Sequence, residues 1–157
     1  MQQIWYNPPV SLASNKKAHF EYELLETLEC GIELLGHEVK SVRKGSATLD
    51  GARALIRGGE LYVVGLHIPP YQPKNTDESY DPARTRRLLA RTSQIAKMES
   101  SLHTKGLTLI PVSLYNKGTK IKVELAIARG KKKADKRESI KKRETDREIR
   151  RVSKERR

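Results

Sequence analysis

The chain has 157 residues, enough for one domain with its own core plus an extension, and it carries 32 Lys and Arg against 19 Asp and Glu, a net charge of +13. Such an excess favours polyanions, so nucleic acid is the leading partner class and an anionic membrane surface the alternative. No run approaches the about 18 apolar residues of a spanning helix, and Met1 to Asn15 lack a secretory pattern, so a cytoplasmic protein without a membrane partner is expected.

The first segment, residues 1–14, has two prolines and no periodicity and reads as a flexible arm. From Phe20 to Leu35 the chain is rich in apolar residues, and Phe20, Tyr22 and Leu24 alternate as a half-buried strand does. Gly31 and Gly36 punctuate that run and suggest a bulge or a turn between two strands. Cys30, the single cysteine, cannot form an internal disulfide and is expected to be a buried, inert thiol. His37 to Lys44 follows as a short helix closed by Gly45.

Leu49 to Arg57 and Leu61 to Ile68 flank Gly58-Gly59, a strong hairpin signal because a tight turn needs positive φ. The proline-rich stretch from Pro69 to Ser79 is a loop. Asp81-Pro82 offers an N-cap and a first-turn proline, so a basic helix through Arg84, Arg86, Arg87, Leu88 and Leu89 is expected. A second helix runs from about Ser93 to Lys105, with Ile95, Met98 and Leu102 on one face and Gly106 closing it. Leu107 and Leu109 alternate before Pro111, which marks an edge or bulge, and Val112 and Leu114 resume the alternation. Asn116-Lys117-Gly118 is a turn. Ile121, Val123, Leu125 and Ile127 then give the clearest period of two in the chain.

Six strand-like runs, mostly joined by hairpins, together with about three helices predict a mainly β protein, an antiparallel barrel or sheet decorated by helices. The expected divisions are the arm over 1–14, the barrel over 15–129 and a basic tail over 130–157.

The tail holds the excess charge. From Arg129 to Arg157 there are 15 Lys and Arg and 6 Asp and Glu, about two thirds of the net charge of the whole chain. Its clearly apolar residues, Ala134, Ile140, Ile149 and Val152, make no continuous stripe, so disorder is expected when the protein is free. The tail nonetheless lacks proline and is rich in helix formers. Glu138–Lys142 and Asp146–Arg150 stand at i, i+4, each pair worth only about 0.2–0.5 kcal/mol, too little to hold an isolated helix. Bound phosphates supply the remainder if the tail becomes helical against RNA; a merely solvated charge run is the other reading.

Catalytic signatures are lacking. His19, His37, His67 and His103 show no metal-binding spacing, there is no C-x-x-C pair, and the glycines match neither a phosphate loop nor a dinucleotide fingerprint. No cofactor and no metal site are expected. Glu21, Glu23, Glu26, Glu29, Glu33 and Glu38 cluster in sequence, and a metal-dependent nuclease would need such carboxylates to converge; a solvated strand face explains most of them.

Several motifs, in order, carry a resemblance: Asn15-Lys16-Lys17-Ala18; Gly36-His37-Glu38-Val39-Lys40-Ser41-Val42-Arg43; Asp81-Pro82-Ala83-Arg84-Thr85-Arg86-Arg87-Leu88-Leu89; Lys105-Gly106-Leu107-Thr108-Leu109-Ile110-Pro111; Lys122-Val123-Glu124-Leu125; and Gly130-Lys131-Lys132 with Asp135-Lys136-Arg137. Together, over about residues 15 to 150, the chain resembles the SsrA-binding protein (small protein B) family. The resemblance implies an OB-like antiparallel β-barrel that binds the tRNA-like domain of transfer-messenger RNA (tmRNA). It implies support for alanine charging of that RNA by alanyl-tRNA synthetase. It also implies delivery, with elongation factor Tu and GTP, to ribosomes stalled without a stop codon. The tail would enter the decoding centre and empty mRNA channel of the small subunit as a helix. A monomer is expected.

By the same resemblance Asn15, Lys16, Glu29, Glu38, Lys40, Leu89, Gly130, Lys131 and Lys132 would dock tmRNA. Asp135, Lys136, Arg137, Lys141, Lys142, Arg143, Arg147, Arg150 and Arg151 would be the ribosome-contacting tail residues. The lysines suit phosphates. Asn15 both donates and accepts, as a base edge or 2′-hydroxyl requires. Glu29 and Glu38 would accept from base amino groups or 2′-hydroxyls, or fix a neighbouring arginine; a helix-start carboxylate is the alternative for Glu38. Where the family has an aromatic or histidine before Asp135, this chain has Ala134, and Val152-Ser153 stand where relatives have a bulky pair. Tail action should therefore rest on charge and be salt-sensitive. A ribosomal protein whose tail threads ribosomal RNA is the rival reading, and an RNA nuclease the third.

Overall fold

A computed structural model of the chain describes residues 10–155. In chain order the elements are β1 (Ser11–Ser14), α1 (Lys16–Glu21), β2 (Tyr22–Ile32), α2 (Gly36–Arg43), β3 (Arg53–Arg57), β4 (Glu60–Val64), a 3-10 turn (Pro73–Asn75), β5 (Arg86–Leu89), α3 (Thr92–Leu102), β6 (Leu107–Lys117), β7 (Lys120–Gly130) and α4 (Lys133–Glu155). All strand pairings are antiparallel. They run β6-β3-β4-β5-β2-β7, and β7 pairs back to β6, so six strands close a barrel and β1 adds to the outside of β6. Closure removes the open edges that an antiparallel sheet otherwise exposes.

The long strands carry the closure. The β6–β7 hairpin pairs from Leu107↔Arg129 to Lys117↔Lys120, turning at Gly118 with φ 61°. β2 pairs along almost all of β7. Two joints are short: β2 meets β5 only at Gly31↔Leu89 and Ile32↔Leu88, and β3 meets β6 at Ala54↔Leu109. Inside, the alternating Leu61, Val63, Leu109, Leu114, Val123 and Leu125 are almost fully buried together with Leu66, Ile68 and Leu88. Each such side chain contributes about 1.5–3 kcal/mol by leaving water. Ile95 and Met98 of α3 join this core. Cys30 lies in it too, and burial pushes its thiol up to about 11, consistent with an unreactive group.

The hairpin at Gly58-Gly59 has positive φ at both residues, as its two-residue turn demands. The bulge at Pro111 is present between Pro111 and Ser113. Elsewhere the fold departs from the sequence reading. The flexible arm is corrected at its end: Ser11–Ser14 form β1, paired with Tyr115, Leu114 and Ser113. Residues 1–9 lie outside those described. Phe20 belongs to α1 rather than to a strand, and the two strands expected on either side of Gly31 are one, bulged between Leu24 and Glu26. The largest correction concerns Arg86–Leu89, which is strand β5 and not a basic helix. Asp81 caps a turn, accepting from Ala83 N at 2.9 Å, and no helix follows it. Beyond it Arg86 and Leu88 point inward while Arg87 and Leu89 point outward, a period of two that four residues are too few to announce. There are thus seven strands rather than six.

The tail from Lys133 to Glu155 is a 23-residue helix, the conformation expected of it against RNA. Nearly all its side chains are exposed, so burial contributes little to its stability and helix propensity must carry it. No helix among the described residues is long and apolar enough to cross a membrane.

Candidate nucleic-acid interface

Strand register assembles a groove on the outer face of the barrel. Leu89 on β5 faces Gly31 on β2, Gly31 faces Lys122 on β7, and Lys122 faces Tyr115 on β6, so four strands contribute to one row. Gly31 is explained by space, not by a turn: a Cβ there would stand 3.1 Å from Leu89 Cβ. Its absence lets Leu89 lie over β2, and Leu89 stays 45% exposed on the outward-facing side of β5. Val39 and Arg43 of α2 form one bank of the groove, with Lys120 and Thr119 opposite. Arg43 is fixed across it by donating from Nη2 to the Thr119 carbonyl at 2.8 Å.

Glu29 stands in the next row, directly opposite Glu124. Two like charges so placed repel, and each is compensated. Glu124 accepts from Ser113 Oγ at 3.1 Å. Glu29 accepts from Lys117 Nζ at 2.8 Å and from the Tyr115 hydroxyl. Lys117 and then Tyr115 hold the Glu29 carboxyl below its ordinary value, while burial and then Glu29 push the Tyr115 phenol up. Glu29 is exposed and ionised, a hydrogen-bond acceptor ringed by lysines.

Glu38 is placed differently. Its side chain and that of Arg86 are both 0% exposed, 2.8 Å apart. Arg84 adds contacts at 2.7 and 2.8 Å, and the Leu35 N–H donates to the carboxylate at 2.9 Å. Burial would raise the Glu38 carboxyl, but Arg84, Arg86 and the Leu35 amide outweigh it and bring it down to about 2. The Glu38 carboxylate is thus turned to partners inside the protein. Fixing arginines and completing the start of α2 are both realised.

Asn15 is also turned inward, 3% exposed. Its Oδ1 accepts from Ala18 N at 3.1 Å, capping α1, and its Nδ2 donates to the Pro111 carbonyl at 3.0 Å, on the β6 bulge. Each end of the amide thus has a partner within the protein, which fixes its orientation. Lys16, in the first turn of α1, and Lys40, on α2, are exposed. Gly130 continues the β2–β7 ladder opposite Tyr22, and Lys131 N donates to the Glu21 carbonyl at 2.9 Å. Lys131 Nζ reaches the His19 carbonyl at 3.1 Å and Ser139 Oγ at 3.2 Å, binding the root of α4 to α1. Lys132 is exposed, and its N–H is accepted by Asp135 at 3.3 Å.

Along α4, Lys136, Arg143, Arg147, Arg150 and Lys154 recur at helical spacing and make one cationic face. Arg137 and Arg151 border it, while Lys141 and Lys142 point away from it. Arg143 lies over the Phe20 ring at 5.2 Å. The structure therefore brings Glu29 and Leu89 together, sets Asn15 and Glu38 behind the surface, and leaves the tail residues on a separate helix. Sequence reasoning missed Arg43, Lys120 and Lys122 as groove residues and Lys117 as the partner of Glu29. The strand period that puts Ile121 and Val123 inside also puts Lys120 and Lys122 outside, so two of them were legible.

The acidic cluster does not converge: Glu26 pairs with Lys97 at 2.6 Å, Glu29 with Lys117, Glu33 with Arg87 at 3.4 Å, and Glu38 with the two arginines. Among the described residues no three metal-ligating side chains gather.

Residues 12–155 match the family model described as SmpB protein. The chain belongs to the SmpB family. SmpB relatives named SsrA-binding protein cover nearly all of it. That of Thermosynechococcus vestitus is 46% identical over 145 residues, 92% of this chain and 95% of the relative. That of Chlorobaculum tepidum is 48% identical over 147 residues, 93% of each. That of Gloeobacter violaceus is 49% identical over 141 residues, 90% and 92%. Among solved structures, a chain described under "tmRNA-SmpB: a journey to the center of the bacterial ribosome" superposes with a TM-score of 0.65 at 38% identity, covering 85% of this chain and 95% of that one. The SmpB family assignment and the barrel geometry thus agree.

Proposed function

We propose that this protein binds the tRNA-like domain of tmRNA on the groove face of its barrel and delivers it to stalled ribosomes for trans-translation. The observation that carries the reading is the groove itself. An exposed leucine, Leu89, and an ionised acceptor, Glu29, are set among Arg43, Lys117, Lys120 and Lys122, on a fold whose relatives are named for binding SsrA. Phosphates take the cations, and a 2′-hydroxyl or base amino group takes Glu29. The tail helix offers a second cationic surface, suited to the anionic mRNA channel of the small subunit. Asn15 and Glu38 serve the RNA face indirectly, the first by capping α1 against the β6 bulge, the second by holding Arg84 and Arg86.

In this reading the protein is not an enzyme. Elongation factor Tu with GTP and alanyl-tRNA synthetase act through the RNA, and a cytoplasmic monomer suffices. The test is capture of RNA on the protein followed by sequencing, with peptide tagging in a reconstituted system. Enrichment of tmRNA over ribosomal RNA, with tagging that depends on the protein, is expected. Ribosomal RNA alone would replace the reading with that of a ribosomal structural protein, and Mg²⁺-dependent cleavage lost on Glu29→Gln would replace it with a nuclease.

A further inference from the structure

Tyr71 is the one Phe, Tyr or Trp side chain that is exposed among the described residues; the others are buried or half-buried. It sits in the proline-rich loop after β4, and its hydroxyl makes no hydrogen bond within the described residues. Lys40 and Lys44, one turn apart on α2, place their ammonium groups 5.8 and 6.0 Å from the ring centroid. Neither lysine is neutralised by a carboxylate among the described residues. α2 therefore has two working sides. Val39 and Arg43 line the groove, and Lys40 and Lys44 carry the positive charge round to Tyr71.

An exposed ring beside cations at this spacing is the arrangement that accepts an unpaired base. The ring stacks on it, and the flanking phosphate meets the ammonium groups. A lipid surface fits less well, because the patch offers one ring and no apolar surround. We propose that Tyr71, with Lys40 and Lys44, is a stacking site for an unpaired nucleotide of the bound RNA, continuous with the groove across α2. The inference rests on the RNA-binding reading above and adds to it a stacking contact with the face of a base, which the groove does not supply.

The experiment compares Tyr71→Leu and Tyr71→Trp in the full chain, titrated against the tRNA-like domain of tmRNA, a short oligoadenosine and an RNA duplex. Base stacking is worth about 1–3 kcal/mol, so Tyr71→Leu should lose about tenfold in affinity for the first two probes and nothing on the duplex. Tyr71→Trp should bind like the wild type. Tyr71→Leu should keep the salt slope, whereas Lys40→Gln with Lys44→Gln should flatten it by about one per lysine. Wild-type affinity in Tyr71→Leu, or an equal loss on all three probes, overturns stacking. If the oligoadenosine effect appears while the wild-type protein shows no preference for the tRNA-like domain over an unrelated folded RNA, the stacking site stands and the tmRNA assignment falls.

Discussion

Glu38 and Arg86 form an ion pair with no solvent exposure on either side, and every N–H of the Arg86 guanidinium has an acceptor. Nε and Nη2 meet Glu38 Oε1 at 3.1 and 2.8 Å; Nη1 donates to the Leu66 and Arg84 carbonyls, and Nη2 also to that of Pro82. The Tyr80 hydroxyl donates to the Ile68 carbonyl at 2.8 Å and lies 3.0 Å from Glu38. The pair thereby ties α2, the end of the proline-rich loop and β5 together at one of the barrel's short joints, where β2 and β5 share only two residue pairs. A buried pair gives little net stability relative to an apolar core, but breaking one leaves a charge stranded. Glu38→Ala should therefore cost about 3–5 kcal/mol in urea unfolding. A loss within the about 0.5 kcal/mol typical of surface changes would show that the cluster does not hold the joint.

The same carboxylate sets an acid limit. Its value in the fold is about 2, below the ordinary 4.5 it regains on unfolding. The unfolded chain therefore binds the proton first, and the contribution of Glu38 is complete above the unfolded value and lost as pH falls towards about 2. Urea midpoints measured through this range should fall steeply for the wild type and more gently for Glu38→Gln. Parallel curves would mean that other carboxylates govern acid unfolding.

Much of this was legible in sequence because it rests on local rules. The alternation of Ile121 to Ile127, the double glycine of the β3–β4 hairpin and the Pro111 bulge each follow from one residue's geometry. What was not legible depended on distant partners. Arg84 and Arg86 read as a basic helix because Asp81-Pro82 looks like a helix start, and only the buried Glu38, 48 residues away from Arg86, makes β5 the better state. The inward turn of Asn15 was hidden for the same reason: nothing local announces that the Pro111 carbonyl, 96 residues on, takes its amide. Gly31 read as punctuation, when its missing side chain makes room for Leu89 on another strand. The tail was legible as a separate charged segment, since composition alone separates it from the core, but composition left both a helix and a solvated charge run open.

Asn15 carries a prediction of its own. Asn15→Ala removes the cap of α1 and leaves the carbonyl of a buried proline without its donor. Loss of a cap costs about 1 kcal/mol, and an orphaned buried acceptor adds about 1–3 kcal/mol. Chemical denaturation should report the sum, and RNA affinity per folded molecule should be unchanged. A large affinity loss with unchanged stability would return Asn15 to the RNA surface as a direct ligand.

Groove cations should behave in the opposite way. Lys120→Gln with Lys122→Gln touches no buried group, so stability should stay within about 0.5 kcal/mol of wild type. Affinity for the tRNA-like domain should drop, and the dependence on salt should flatten by about one phosphate contact per lysine. Unchanged affinity and slope would place the RNA elsewhere on the barrel.

Truncation after Lys132 separates the two surfaces. It keeps the Gly130↔Tyr22 pairing and the Lys131 bond to Glu21, and removes the Arg143–Phe20 contact, the Lys131–Ser139 bond and the bonds of Asp135 and Lys136 to the Lys132 backbone. An exposed cation–π contact contributes about 0.5–1 kcal/mol, so the melting transition should move little. Because α4 buries no apolar face, its helical circular dichroism should fade on warming well below the barrel's transition and increase when RNA is added. The truncated protein should bind the tRNA-like domain as the full chain does and fail to support peptide tagging. Full tagging without the helix would leave the barrel as the sole working part. A large drop in the melting transition would mean instead that α4 is a structural component of the body, whose charge serves the fold before it serves the ribosome.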